Sequence, residues 1–517
     1  MNRKRPLVVA CVLAVAAAGW YAASRPVTQA DLRAAGLSAS WRTPDYPDWV
    51  PGWLADRLPE RSPRPQTVVS LRDDWGPDAD RVLARLRPHE AFELTDCGLT
   101  DASLRQLLRR HPAQWLNVNG TRLTAAGVRT AAAAIEAGGG RMWADVPAVG
   151  DRQLVELADA FPSGELDETL ARRLARSFTG GHADDTDPDF SHLESFDWSG
   201  AAAEGPRGTL RHTRVLSPGD VGLRLSGVSE DTTEAGLDVV QLSLEFEPAA
   251  GGPGRAALTA DQTRLLTAIR RPDFVHLRNV GFAPPAGGLP AWELLMWDNP
   301  PAGVVPALTR VRGAMLRDWR HGDGPLASLR VSGGGHVSVW AGGGEPLTGA
   351  FLASARLPDC RSLSVEGTLR RTDDAPPVRV SPAVTGPREL RLSGVAVDGA
   401  SLVRLVGGVD DLLSLSELPC VRAGDVAASL EGRAIDFVEL GPGVPLDAAA
   451  LRAAAVLPPA DPSRRPVTRI DHRVVPAPPV TRAAFEGVPR PIRRQVTIDM
   501  MGTPETEATT ALRAALD

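Results

Sequence analysis

The densest run of groups able to do chemistry lies between His182 and His192, where Asp185, Asp187 and Asp189 alternate with other residues. Alternate carboxylates in a tight turn can converge on one hard cation, as in a calcium loop. Phe190 stands where such a loop needs glycine, and Phe196 where it needs a bidentate glutamate, so the run reads as a solvated acidic loop and no metal is assigned. His276, His321 and His336 could each be set beside a serine and an aspartate on paper, but no Gly-x-Ser-x-Gly elbow marks a nucleophile. Gly333 to Gly335 and Gly342 to Gly344 lack the lysine and hydroxyl that would make a phosphate cradle, and are expected to be turns. Cys97, Cys360 and Cys420 are too few and too far apart for a disulfide framework, and no CxxC suggests zinc; they are expected to be buried thiols. No catalytic residue and no cofactor follows from these patterns.

Composition sets wider bounds. With 517 residues, 43% hydrophobic and 23% charged, the chain can bury a large core. A net charge of -6, with arginine dispersed along the chain, offers no stripe for nucleic acid. Lys4 is the only lysine among 57 basic residues, a bias that reflects base composition. Met1 to Arg5 is basic and Pro6 to Ser24 carries no charge, which reads as a signal or membrane anchor with the bulk of the chain outside the cytoplasm. Trp20 and Tyr21 suit an uncleaved anchor; Ala22 to Ser24 would permit cleavage and secretion. A lipidated Cys11 would come too early in the apolar run.

The elements that could position a site follow from one recurring phrase: an aliphatic residue, a free position, a second aliphatic, then turn residues. Its best copy is Phe92-Glu93-Leu94-Thr95-Asp96-Cys97-Gly98-Leu99, and it returns as Leu116-Asn117-Val118-Asn119-Gly120-Thr121-Arg122-Leu123. A strand that alternates over so short a length cannot bury its apolar side alone, so copies must stack into a solenoid. Thr100 can cap a helix whose buried stripe is Leu104, Leu107 and Leu108. Further strands are expected at Leu223 to Leu225, Leu242 to Leu244, Val275 to Leu277, Leu294 to Met296, Leu329 to Val331, Leu363 to Val365, Leu390 to Leu392, Leu413 to Leu415 and Val438 to Leu440. The resulting organisation is a signal or anchor at 1–24, a Trp/Pro-rich lead-in and cap at 25–66, repeats at 67–456 with an irregular insertion at 147–220, and a Pro-rich tail with a short helix at 457–517.

This phrase, followed by a threonine-led helix, resembles the leucine-rich repeat in its ribonuclease-inhibitor-like form. The resemblance implies an α/β solenoid, a parallel β-sheet on the concave face and helices or loops on the convex face. It also implies an inward small donor at Cys97, Thr121, Asn299 and Thr368, replaced by apolar residues at Val228, Val280, Val395 and Leu418. The exposed middle positions of the strands would line up into one face carrying Glu93, Asn117, Arg224, Ser243, His276, Arg330, Ser364, Arg391, Ser414 and Glu439. A polar face of mixed sign suits recognition of a protein or a glycan without catalysis. The alternatives are a structural spacer of the envelope, and a glycan-active enzyme on a parallel β-helix, which would need paired carboxylates on successive rungs.

Overall fold

The computed structural model describes residues 91–178 and 256–464 except 112, 114, 139, 140, 162, 163 and 165, and shorter stretches at 34–35, 37–39, 69–71, 77–83, 196–197, 209–216, 221–232, 236–248, 467–471 and 495–499. The segment 1–24, most of the lead-in, the acidic run His182 to His192 and the expected terminal helix lie outside the described residues. Among the described residues no helix is long and apolar enough to cross a membrane. The chain is α/β and divides into two compact units: 1–213 with 226–242 and 264–270, and 214–225 with 243–263 and 271–517.

In the first unit β1 (Leu37–Ala39) pairs antiparallel with β2 (Val69–Leu71), and β3 (Ala91–Glu93), β4 (Trp115–Asn117) and β5 (Arg141–Trp143) extend the sheet in parallel. Helices α1 (Pro77–Leu83), α2 (Asp101–Leu108), α3 (Ala125–Gly138), α4 (Asp151–Ala158) and α5 (Asp167–Ser177) connect or follow these strands. Alternation decides what is buried: Phe92, Leu94, Leu116 and Val118 are all 0% exposed. The Ser103 amide donates to Thr100 Oγ1 at 3.4 Å, so Thr100 caps α2 as its sequence position implied. Leu104 and Leu107 are buried, while Leu108 is only half-buried. Within the expected insertion, α4 and α5 bury Leu154, Leu157, Leu170 and Leu174, following their helical spacing.

Turns repeat as the strands do. Cys97 Sγ donates to the Leu94 carbonyl at 3.4 Å and Thr121 Oγ1 to the Val118 carbonyl at 2.7 Å, so each small inward donor closes its own turn. Asp101 accepts from the Thr124 amide and hydroxyl at 3.0 and 2.6 Å, tying the start of one helical segment to the next.

The strands β6 (Phe196–Asp197), β7 (Thr209–Leu216), β8 (Val221–Thr232) and β9 (Gly236–Pro248) follow, then β10 (Ala256–Ala257) and α6 (Ala260–Ala268). In the second unit the later part of β9 begins a parallel ladder. Its members are β11 (Phe274–Arg278), β13 (Leu294–Asp298), β14 (Gly313–His321), β15 (His336–Glu345), β16 (Ser362–Glu366), β17 (Glu389–Ser393), β18 (Leu412–Ser416), β19 (Phe437–Leu440), β20 (Val467–Asp471) and β21 (Gln495–Asp499), each paired with the next. The short β12 (Val280–Gly281) pairs with β10. Connections use 3₁₀ turns at Ala302–Arg310, Pro325–Ser328 and Ala350–Ala353, then helices α7 (Gly399–Val406), α8 (Ala423–Leu430) and α9 (Ala448–Val456). The inward pairs Val275 and Leu277, Leu390 and Leu392, Leu413 and Leu415, and Val438 and Leu440 are at most 1% exposed.

Several expectations are corrected. On β13 the inward residues are Leu295 and Trp297, while Leu294 and Met296 face outward, a one-residue slip that exchanges the two faces. Leu329 to Val331 forms no strand of the ladder: Arg330 makes an isolated bridge with Arg356, and the strand begins at His336 after Gly333 and Gly334 turn the chain at φ 89° and 78°. Gly342 to Gly344 are part of β15, where a Cβ on Gly342 or Gly344 would collide with β14 at Asp318 or Arg320. Asn299 supplies no inward donor bond; it takes the left-handed conformation at φ 53°, in line with Asn279 at 52° and Asp318 at 53°. The parallel ladder also runs past residue 456, because Thr468 and Ile470 bury their side chains at 0% and 2% exposure.

Candidate functional site

Parallel pairing, whose register shifts between β14 and β15 only after Leu316, aligns every second residue of the second unit's strands into rows on the outward face. The middle row runs Glu245, His276, Met296, Met315, Ser338, Ser364, Arg391, Ser414, Glu439 and Arg469. The sequence-based candidates His276, Arg391 and Glu439 therefore share one row. Ser243 pairs with Phe274, and Glu245 takes the place expected for it. Arg330, on its isolated bridge, is not part of this row. Glu93 and Arg224 lie on β3 and β8 with side chains outside the described residues. Asn117 belongs to the first unit's sheet, is 8% exposed, and accepts from the Asn119 amide at 3.2 Å, so it shapes a turn.

Toward β11 the face is bulky. His276 is 5% exposed, less open than an outward strand position suggests, because Phe274 and Asp298 crowd it. Its Nε2 lies 3.2 Å from Asp298 Oδ2, and the carboxylate can only accept, so the imidazole donates. Asp298 Oδ1 has no hydrogen bond and sits 3.7 Å from Arg317 Nε. Arg317 packs its guanidinium 5.1 Å from the Trp340 ring, and the Trp340 indole donates to Ser364 Oγ at 3.3 Å. A chain of polar contacts thus crosses five neighbouring strands from β11 to β16. Met296, Asp298, Arg317 and Trp340 were not among the sequence-based candidates.

Toward β20 the face opens into a cleft of about 260 Å³ lined by Ser414, Leu415, Ser416, Glu439, Gly441, Pro442 and Arg469. Ser414 Oγ donates to Glu439 Oε2 at 3.0 Å, and Arg469 Nη1 stands 3.7 Å from Glu439 Oε1. Ser416 Oγ donates to Ser393 Oγ at 2.7 Å. The rim is set by two left-handed residues, Glu417 at φ 47° and Gly443 at φ 72°, and the Glu417 amide donates to the Pro442 carbonyl at 2.6 Å. A glutamate in that conformation is uncommon and costs on the order of 1–3 kcal/mol. Arg469 also lies 5.8 Å from the Phe437 ring. Alternation at Val467-Thr468-Arg469-Ile470 was the available sequence signal for this strand.

Among the described residues no three His, Cys, Asp or Glu side chains converge as a metal site would require. All three cysteines of this part are free thiols, with Cys97 and Cys360 buried and Cys420 partly exposed. Burial pushes the Cys360 thiol up to about 11, and burial, aided by Asp374 and Asp398, raises that of Cys420. Neither has the electropositive, accessible setting of a reactive thiolate. No known family model matches the chain, and no curated protein matches it.

Proposed function

We propose that the chain is a non-enzymatic recognition protein of the leucine-rich-repeat type, working at the cell envelope, whose outward strand face binds a protein or a glycan. The observation that carries this reading is the unbroken row from Glu245 to Arg469, which sets side chains of both signs, hydroxyls and methionines at one spacing along a single face, with Trp340 in the adjoining row. Tryptophan, arginine and methionine are the residues enriched where proteins meet ligands. Support for the repeat assignment comes from turns that recur: Cys97 matches Thr121, and the Asp101 clamp on Thr124 matches the Asp323 clamp on Thr348, whose amide and hydroxyl both donate at 2.8 Å. Placement at the envelope rests on the basic start and the uncharged stretch to Ser24.

The test is a photo-cross-linking residue placed at Arg391, exposed in the middle of the face, and in a second variant at Arg452, exposed on α9. In native cells the residue-391 variant should give a discrete adduct absent from the residue-452 variant. Equal labelling from both positions, or none from residue 391, would contradict recognition on this face.

A further inference from the structure

We infer that the cleft beside Glu439 takes a neutral saccharide, an inference that rests on reading the outward face as a recognition surface. Glu439 Oε1 and Arg469 Nη1 face each other across a gap at the cleft. At 3.7 Å it exceeds hydrogen-bond length, so each group keeps unused capacity toward the cleft. A sugar hydroxyl both accepts and donates, and one hydroxyl, or two neighbouring ones, can accept from the guanidinium and donate to the carboxylate. A carboxylate or phosphate ligand gains from Arg469 but meets Glu439, and an ammonium gains from Glu439 but meets Arg469. The pair therefore favours a ligand that is uncharged and rich in hydroxyls.

The rest of the lining agrees. Ser414 and Ser416, whose hydrogens go to Glu439 and Ser393, add oxygens that can accept from a ligand hydroxyl, and Pro442 gives apolar surface for the C–H face of a ring. The volume of about 260 Å³ lies just below the range of about 300–1,000 Å³ common for drug-sized ligands, which suits one sugar ring. The positions are held before any ligand arrives: Ser414 is tied to Glu439, Ser416 to Ser393, and the Glu417 amide to Pro442. Along the middle row Arg391 follows at the spacing of parallel strands, roughly 4.8 Å each, close to the length of one pyranose unit. A longer neutral glycan would lie across the strands from Arg469 toward Arg391.

Saturation-transfer NMR on the full chain tests this with glucose, galactose, mannose and N-acetylglucosamine, beside glucuronate and glucosamine as charged counterparts. At least one neutral sugar should give a signal that falls about tenfold in Glu439→Gln and in Arg469→Gln, and persists in Arg452→Gln. Ser414→Ala, which removes a single hydroxyl, should weaken it less and serves if the charge variants do not fold. Stronger binding of glucuronate or glucosamine than of every neutral sugar would overturn the inference. If no sugar binds while a residue at position 391 still cross-links to a partner, the saccharide inference fails alone; if both fail, the recognition reading fails with it.

Discussion

The Trp297 indole donates to the Val280 carbonyl at 3.1 Å with its side chain wholly shut off from solvent. Phe282 stacks on the same ring at 5.0 Å. Together these contacts lock β13 in the register that turns Leu295 and Trp297 inward and sends Leu294 and Met296 to the outward face.

Trp297→Ala should therefore cost about 3–5 kcal/mol, the scale of a large core truncation. Met296→Ala, on the outward face, should cost less than about 1.5 kcal/mol. Denaturant unfolding of the two variants checks the register, and the reverse order would mean that the faces are exchanged.

Gly342 and Gly343 are neighbours on β15 with opposite surroundings. A Cβ on Gly342 would collide with the Asp318 side chain and backbone, while one on Gly343 meets nothing within 4 Å. Gly342→Ala should destabilise by about 1–3 kcal/mol, as overpacking does, and Gly343→Ala should be neutral or slightly stabilising. Thermal melts of both would show equal losses if β15 did not lie this close to β14.

Much of this was legible in the sequence, and the failures have identifiable causes. Leu390-Arg391-Leu392 and Val438-Glu439-Leu440 alternate cleanly, so inward and outward positions follow from the pattern alone. Leu294-Leu295-Met296-Trp297 is apolar throughout, so the pattern holds no phase, and only Trp297's contacts with Val280 and Phe282 choose one. Leu329 and Val331 are buried as expected, at 0% and 5% exposure, yet a buried alternation does not say which stretch pairs in the ladder. His276 illustrates a tertiary effect: its outward position is readable, but Asp298, which helps to enclose it, comes from the next strand. Arg469 was hidden for a different reason, since the prolines from Pro458 onward mask a strand that begins at Val467.

Cys360 makes stability depend on alkaline pH. Burial raises its thiol from an ordinary value near 9 to about 11, so between these values the unfolded chain loses the proton and the folded chain keeps it. Stability linked to this group is complete below pH 9 and lost as pH rises toward 11, by at most about 2–3 kcal/mol. Denaturant unfolding across this range should fall less steeply for Cys360→Ala than for the parent. Parallel curves would contradict a buried, protonated thiol.

A recognition role requires the outward face of the second unit to be occupied in its native setting. Met296, Met315 and Trp340 are partly exposed there and oxidise readily, so hydroxyl-radical footprinting reads their coverage directly. Oxidation of all three should be several-fold lower in intact cells than in the purified chain, relative to an exposed reference such as Pro306 in a 3₁₀ turn. Equal oxidation of the three residues in both settings would show the face uncovered and contradict the account.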